Sequence, residues 1–223
     1  MGVVSGRGLD DLWELMDVPG IYYAGTSGLE FDLQGQRFTV PEAEPYRALI
    51  KDVGSQLSIL AMDFPDAWVE NKELGLTLHY RRVQHDLCAE LLQRASRILQ
   101  PYEEHLRMTE GPMAWELTPR ICWNKGSALR LILESIGSPV LPFYAGDAAN
   151  DEEAIAAALE LGGVALAIGT SVATSVENRL SDPSALTDFL LCFEETLAGA
   201  GMPETSRNAS WMDSLLAYGV AEA

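Results

Sequence analysis

The chain reads as an α/β protein: a doubly wound, largely parallel core over residues 1–29 and 115–223, with an α+β unit inserted over residues 30–114. Three observations predict this. Short apolar runs alternate with helical stripes at both ends of the chain, as in βαβ units. Between them lie two long amphipathic helical patterns and four strand patterns, the composition of a small two-layer unit. Nearly half of the 223 residues (48%) are hydrophobic and 22% are charged, which suffices for a buried core.

In chain order, GVVSG is expected as a short buried strand ending at Ser5. Leu9, Leu12, Trp13 and Met16 then recur at helical spacing. IYYAG is the next strand, and GLEFDLQGQRF alternates like a hairpin arm. Tyr46, Leu49, Ile50, Val53, Leu57 and Leu60 form one apolar stripe, predicting a helix over 43–62. WVENK and LGLTLHYRR are two strands. Leu87, Cys88, Leu91, Leu92, Ala95, Ile98 and Leu99 form a second helical stripe, ended by Pro101. LRMTEG and MAWEL complete the inserted sheet. From Asn124 the rhythm changes to a helix (124–137), a buried strand (VLPFYAG), a helix (150–161), a buried strand (GVALAIG) and a helix from Asp182. After Gly199 the chain is polar, with one apolar cluster from Trp211 to Tyr218.

Thirty-three acidic against fifteen basic residues give a net charge of −18. Nucleic acid and anionic membranes both call for a basic surface, so neither is an expected partner. No run is long enough to span a membrane, and the N-terminal residues match neither a signal peptide nor a myristoylation site. Asn208-Ala-Ser210 matches a glycosylation sequon by chance if there is no secretion. Cys88, Cys122 and Cys192 are odd in number and lack paired spacing. They read as buried thiols of a reducing, cytoplasmic setting.

Three loops attract chemistry. In GDAAND, Asp147 follows a strand, where open α/β sheets hold ligands, and hard carboxylate oxygens suit Mg²⁺. The same residues also read as a helix start, with Asn150 as N-cap and Glu153 three positions on. Lys125 stands in the first turn of a helix, against the helix dipole, beside Gly126, which would permit close backbone approach to an anion. Ser5-Gly6-Arg7 joins a strand to a helix, either a phosphate cradle or an ordinary turn. Strand ends bearing Ser5, Lys125 and Asp147 can open on one edge, combining a hydroxyl, a cation and a metal ligand for phosphoryl transfer. In the insertion, Glu70 and Lys72 share one strand face, and His79 and Arg81 share a face of the next, with Leu74, Leu76, Leu78 and Tyr80 pointing into the helices. That face is either a solvated sheet surface or a grip for a polyhydroxylated ligand.

The motifs SGR, YAGTSGLEF, VENK…LTLHYRR, WELTPRICWNKGSAL, YAGDAANDEEA and RLSDPSALTDFL occur in the order found in trehalose-6-phosphate phosphatases. The chain resembles that branch of the haloacid-dehalogenase superfamily over nearly its whole length. The resemblance implies a Rossmann-like core carrying an inserted α+β cap, and Mg²⁺-dependent hydrolysis of trehalose 6-phosphate to trehalose and phosphate. It implies Ser5 as the phosphate-binding hydroxyl, Lys125 as the lysine screening nucleophile and phosphate, and Asp147 and Asp151 at the metal. Glu70, Lys72, Arg81 and Glu116 would grip the sugar, with Arg7 near the phosphate and Glu30 a further candidate. Ala148 replaces an aspartate of the metal loop, and Thr118 stands where an arginine usually follows the glutamate. The family's DxDGT strand, which supplies the nucleophilic aspartate, precedes SGR. DxDG occurs nowhere in these 223 residues. The expectation is therefore an N-terminally truncated phosphatase whose first core strand is missing; the alternative is an inactive sugar-phosphate-binding relative. Oligomeric state is not legible.

Overall fold

The computed structural model describes residues 1–111, 113–172 and 176–199. The 211–218 apolar cluster and the Asn208 sequon lie outside them. The element order is β1 (Gly2–Val4), α1 (Leu9–Met16), β2 (Tyr22–Gly25), β3 (Glu30–Leu33), β4 (Gln36–Thr39), α2 (Arg47–Ala61), β5 (Trp68–Asn71), β6 (Leu76–His79), α3 (His85–Leu99), β7 (Leu106–Gly111), β8 (Ala114–Pro119), α4 (Lys125–Ile136), β9 (Phe143–Gly146), α5 (Glu152–Glu160), β10 (Val164–Ile168), β11 (Arg179–Leu180) and α6 (Pro183–Gly199). The fold is mixed α/β, with three sheets among the described residues.

The first sheet runs β1-β2-β3-β4, with β1 parallel to β2 and the others antiparallel. The β3–β4 turn is made by Gln34 (φ 56°) and Gly35 (φ 91°), left-handed backbone that matches the twist of a tight hairpin. Asp32 Oδ1 accepts the Gly35 N–H at 2.6 Å. A parallel sheet of order β11-β10-β9 lies toward the other end of the chain. Where a single, largely parallel core sheet was expected there are two, one of them mostly antiparallel, with β1 and β9 each at an edge. That position explains why both strands, expected to be buried, are partly exposed: an edge strand has a neighbour on one side only.

Helix α4 packs against both sheets. Ala128 and Ile132 join Ala24, Leu29 and Phe31 of the first sheet's cluster, while Leu129 joins Tyr144, Ile155 and Ala165 beside the parallel sheet. Asn124 caps α4, its Oδ1 accepting the Ser127 N–H at 2.9 Å, and Gly137 ends it at φ 68°.

The middle sheet is antiparallel, β5-β6-β8-β7, and α2 and α3 cover one face. Strand β8 alternates: Trp115 and Leu117 are buried among Val53, Leu57, Leu91 and Ala95, while Glu116 and Thr118 point to the opposite, polar face. Each large aliphatic buried here contributes about 1.5–3 kcal/mol. Leu76, Leu78 and Tyr80 enter this core as expected, but Leu74 packs with Ala24 and Phe31 instead. Sheet membership also differs from the expected division at 30 and 114. Strand β3 hydrogen-bonds to β2 and β4 to β3, and β8 belongs to the middle sheet. The hairpin pattern was legible in sequence, but its partner strand was not. No disulfide joins the three cysteines; Cys88 is half-buried and Cys122 and Cys192 are exposed, contrary to the expectation of buried thiols, because each falls on a solvent-facing turn or helix surface. Among the described residues, no helix is long and apolar enough to cross a membrane.

Candidate active site

The loop after β9 is organised by one carboxylate. Asp151 is 4% exposed. Its Oδ1 accepts from Lys125 Nζ and from the Tyr144 hydroxyl, both at 2.7 Å, and its Oδ2 accepts the backbone N–H groups of Asp147 and Ala148 at 3.2 and 3.0 Å. Burial, and secondarily the Asp151 charge, push the Tyr144 hydroxyl well above the ordinary tyrosine range, so it stays a neutral donor. Gly146 is required because a Cβ there would lie 2.5 Å from Asp151 Cβ.

This arrangement corrects one reading: the loop is capped by Asp151 reaching back to Ala148, not by Asn150, which lies inside a 3₁₀ turn preceding α5. Asp151, expected beside Asp147 at a metal, accepts on both oxygens from four donors and so organises the loop. Asp147 differs: it is exposed at the carboxyl end of β9. Gly126 likewise serves packing rather than an anion, because a Cβ would lie 2.4 Å from the Glu153 carbonyl oxygen of α5.

Ser5 follows β1, and its Oγ accepts the Arg7 N–H at 3.2 Å. The Ser5–Gly8 loop is braced by the Thr26-Ser27-Gly28 turn, whose three residues all have positive φ (47°, 57° and 90°). Ser27 N–H donates to Ser5 O at 2.7 Å and Thr26 N–H to Arg7 O at 2.6 Å. Glu30, 4% exposed, holds both segments, accepting from Thr26 Oγ1 at 2.6 Å and from Leu9 N–H at 3.3 Å. It therefore supports the loop from beneath. Arg7 reaches Asp11 at 2.9 Å.

The polar face of the middle sheet meets this loop. Lys72 Nζ donates to Gly6 O at 2.7 Å and to Thr77 Oγ1 at 2.9 Å, and lies 3.5 Å from Glu116 Oε1 and 3.9 Å from Glu70 Oε1. Glu70 Oε2 pairs with His79 Nε2 at 3.0 Å, and the His79 ring stacks on Trp68 with centroids 4.0 Å apart. Glu70, Lys72 and Glu116 therefore converge. Arg81 does not share His79's strand face, because β6 ends at His79 and Arg81 lies exposed in the following turn.

Between this face and α4 is a cavity of about 70 Å³ lined by Ser27, Arg107, Thr109, Glu116, Thr118 and Lys125, together with Asn150. Two of its lining residues hold buried oxygens without a hydrogen-bond partner, Glu116 Oε1 and Asn150 Oδ1. Unpartnered buried acceptors are costly, and these two call for donors from a ligand or water. Lys125 lines the cavity directly and joins it to the Asp151 hub. Ser5 adjoins it through Ser27 and Gly6, and Asp147 through Asp151. Tyr144, Thr109 and Arg107 were missed in the sequence. Tyr144 fell within a strand read as buried and apolar, and Arg107 and Thr109 within a strand read only for its pattern.

Comparison with known proteins narrows the chemistry. The model of the trehalose-phosphatase family matches residues 1–188. "Probable trehalose-phosphate phosphatase C" of Arabidopsis thaliana is 33% identical over 203 residues, covering 84% of this chain and 62% of the relative. Trehalose-phosphate phosphatase B of the same plant is 30% identical over 203 residues, covering 84% and 54%. The chain thus spans less than two thirds of the length of these curated relatives. Among solved structures, a trehalose-6-phosphate phosphatase related protein superposes with TM-score 0.74 at 21% identity, covering 90% of this chain and 82% of that one. The C-terminal domain of the Candida albicans trehalose-6-phosphate phosphatase gives 0.63 at 20% identity, covering 82% and 73%. These two likenesses concern the fold; the family assignment rests on the sequence match, which runs from β1 into α6. The chain belongs to the trehalose-phosphatase family.

Proposed function

We propose that this chain supplies the sugar grip, the phosphate-screening lysine and the metal loop of an enzyme that hydrolyses trehalose 6-phosphate to trehalose and phosphate. The observation that carries the reading is the polar cavity, lined by a buried lysine and by two acceptor oxygens that receive no hydrogen bond, Asn150 Oδ1 and Glu116 Oε1, the latter 3.5 Å from the Lys72 ammonium. A phosphorylated polyol brings what such a cavity lacks: hydroxyl donors for the acceptors and an anion for the cation.

In this reading the middle sheet with α2 and α3 is a cap over a core made by the other two sheets. Glu70 and Glu116 accept sugar hydroxyls, with Lys72 donating between them and Arg81 closing from the turn. Lys125, held by Asp151, screens phosphoryl charge, and Ser5 Oγ and the Arg7 region bind phosphate oxygens. Mg²⁺ retains water and takes one or two carboxylates, so the exposed Asp147 fits as a ligand while Asp151 orients its loop. When bound, the ion would neutralise charge on the phosphoryl oxygens. The nucleophilic aspartate that such hydrolysis needs would be seated near the edges of β1 and β9, which α4 joins by packing on both sheets. Three unpaired cysteines agree with a cytoplasmic setting.

The test is phosphate release from trehalose 6-phosphate, with and without Mg²⁺, by the protein extended at its N-terminus to include a DxDGT strand. Release that needs Mg²⁺ and is lost on changing the first aspartate is expected. Binding of trehalose 6-phosphate without release by the extended protein would sink the hydrolytic reading in favour of an inactive sugar-phosphate-binding relative.

A further inference from the structure

Arg107 has no role in what has been argued so far, yet its surroundings are those of a ligand contact. It stands on the edge strand β7, directly across the ladder from Thr118, as Thr109 stands across from Glu116. All four side chains line the cavity that also holds Lys125. Arg107 is exposed, and its hydrogen bond from Nη2 to the Ile121 carbonyl is 3.4 Å long, beyond the usual range. Two other arginines of the middle segment are tied to carboxylates: Arg47 to Glu44 and Glu73, and Arg94 to Asp63 and Glu90. In a protein of net charge −18, the two cations lining this cavity, Arg107 and Lys125, match its two carboxylates, Glu116 and Glu153.

We propose that Arg107 is a substrate-binding residue that grips the phosphoryl group from the edge of the middle sheet. This rests on the function proposed above and adds a residue to it. The planar fork of arginine matches two phosphate oxygens at once, which a lysine at this position could not do. Lys125 comes from the first turn of α4 and Arg107 from β7, so the anion would be held between two elements of different sheets. The Ile121 carbonyl that Arg107 touches belongs to the segment joining β8 to α4, four residues before Lys125, which keeps the guanidinium close to the cavity mouth without satisfying it.

The test is isothermal titration calorimetry of the 223-residue protein with trehalose 6-phosphate, inorganic phosphate and free trehalose, comparing wild type, Arg107→Gln and Arg107→Lys. A lost charge-assisted hydrogen-bonding pair corresponds to a weakening of about tenfold to hundredfold. Arg107→Gln is expected to weaken trehalose 6-phosphate and phosphate by that factor, to leave trehalose unchanged and to flatten the salt dependence. Arg107→Lys should recover part of the loss. Equal affinity of wild type and Arg107→Gln for trehalose 6-phosphate would overturn the role of Arg107 and leave the proposed function standing. An equal loss toward free trehalose would overturn the phosphate assignment. No binding of either phosphorylated ligand by wild type would overturn both.

Discussion

Asp151→Asn tests whether the metal loop is held together by a buried ion pair. The side chains of Asp151 and Lys125 are 5% and 7% exposed and 2.7 Å apart. Asparagine keeps the shape and can still accept from the Asp147 and Ala148 N–H groups, but it leaves the Lys125 ammonium buried without a counter-charge. Breaking one side of a buried pair costs about 3–5 kcal/mol. That is a large part of the roughly 5–15 kcal/mol that holds a typical domain together. For a chain of this length each kcal/mol moves the midpoint about 2–4 °C, so a fall of about 6–20 °C in Tm is expected. Urea denaturation followed by circular dichroism, in EDTA so that no metal contributes, measures it directly. Adding Lys125→Met removes the stranded charge, so the double variant should be less destabilised than the sum of the single ones. Asp147→Asn is the contrast: that side chain is exposed and takes no part in the Asp151 hydrogen bonds, so a change within about 0.5 kcal/mol is expected. A loss below about 1 kcal/mol for Asp151→Asn, or strict additivity in the double variant, would refute the reasoning.

Gly126→Ala opposes two effects of known sign. Alanine favours a helix by about 1 kcal/mol over glycine, but its Cβ would lie 2.4 Å from Glu153 O and 2.9 Å from its carbonyl carbon, forcing α4 and α5 apart at a cost of about 1–3 kcal/mol. Net destabilisation in chemical denaturation is expected, and net stabilisation would mean the helices have room to give. Alkaline titration probes Tyr144, whose pKa burial raises first and the Asp151 charge second. A raised folded-state value means that its contribution is complete below about pH 10, the ordinary tyrosine value, and is lost as pH rises further. Absorbance near 295 nm should show one tyrosine ionising only as the protein unfolds, and Tyr144→Phe should remove that late step. Early ionisation in the folded protein would contradict the buried hydrogen bond to Asp151.

Sequence periodicity located the helices and strands well because burial imposes it. The stripe from Tyr46 to Leu60 and the alternation through Trp115 and Leu117 both report which side faces a core. Sheet partnership was less legible. Glu30–Leu33 reads as a strand, yet nothing local says that it pairs with Tyr22–Gly25 rather than with the inserted unit. The same holds for the site. Lys125 was visible because a lysine and a glycine in a first helical turn violate local preference. Gly126 nevertheless answers to Glu153 of a neighbouring helix, a contact between elements that spacing alone does not encode. Asp151 was only half legible for a related reason: a carboxylate four residues after Asp147 suits a metal or a loop hub, and the four donors that make it a hub come from Lys125, Tyr144, Asp147 and Ala148 together.

In the proposed function a phosphorylated disaccharide enters between the polar face of the middle sheet and the Ser5–Gly8 loop, which requires the two to part. The contact that would have to yield is Lys72 to Gly6 O, a charged donor on a backbone carbonyl at 2.7 Å. Such a bond contributes about 1.5–3 kcal/mol, enough to favour closure yet small enough for a ligand to replace. A sugar hydroxyl offered to Lys72 between Glu70 and Glu116 would take the place of Gly6 O, so the residues that grip the sugar would release the loop that binds its phosphate.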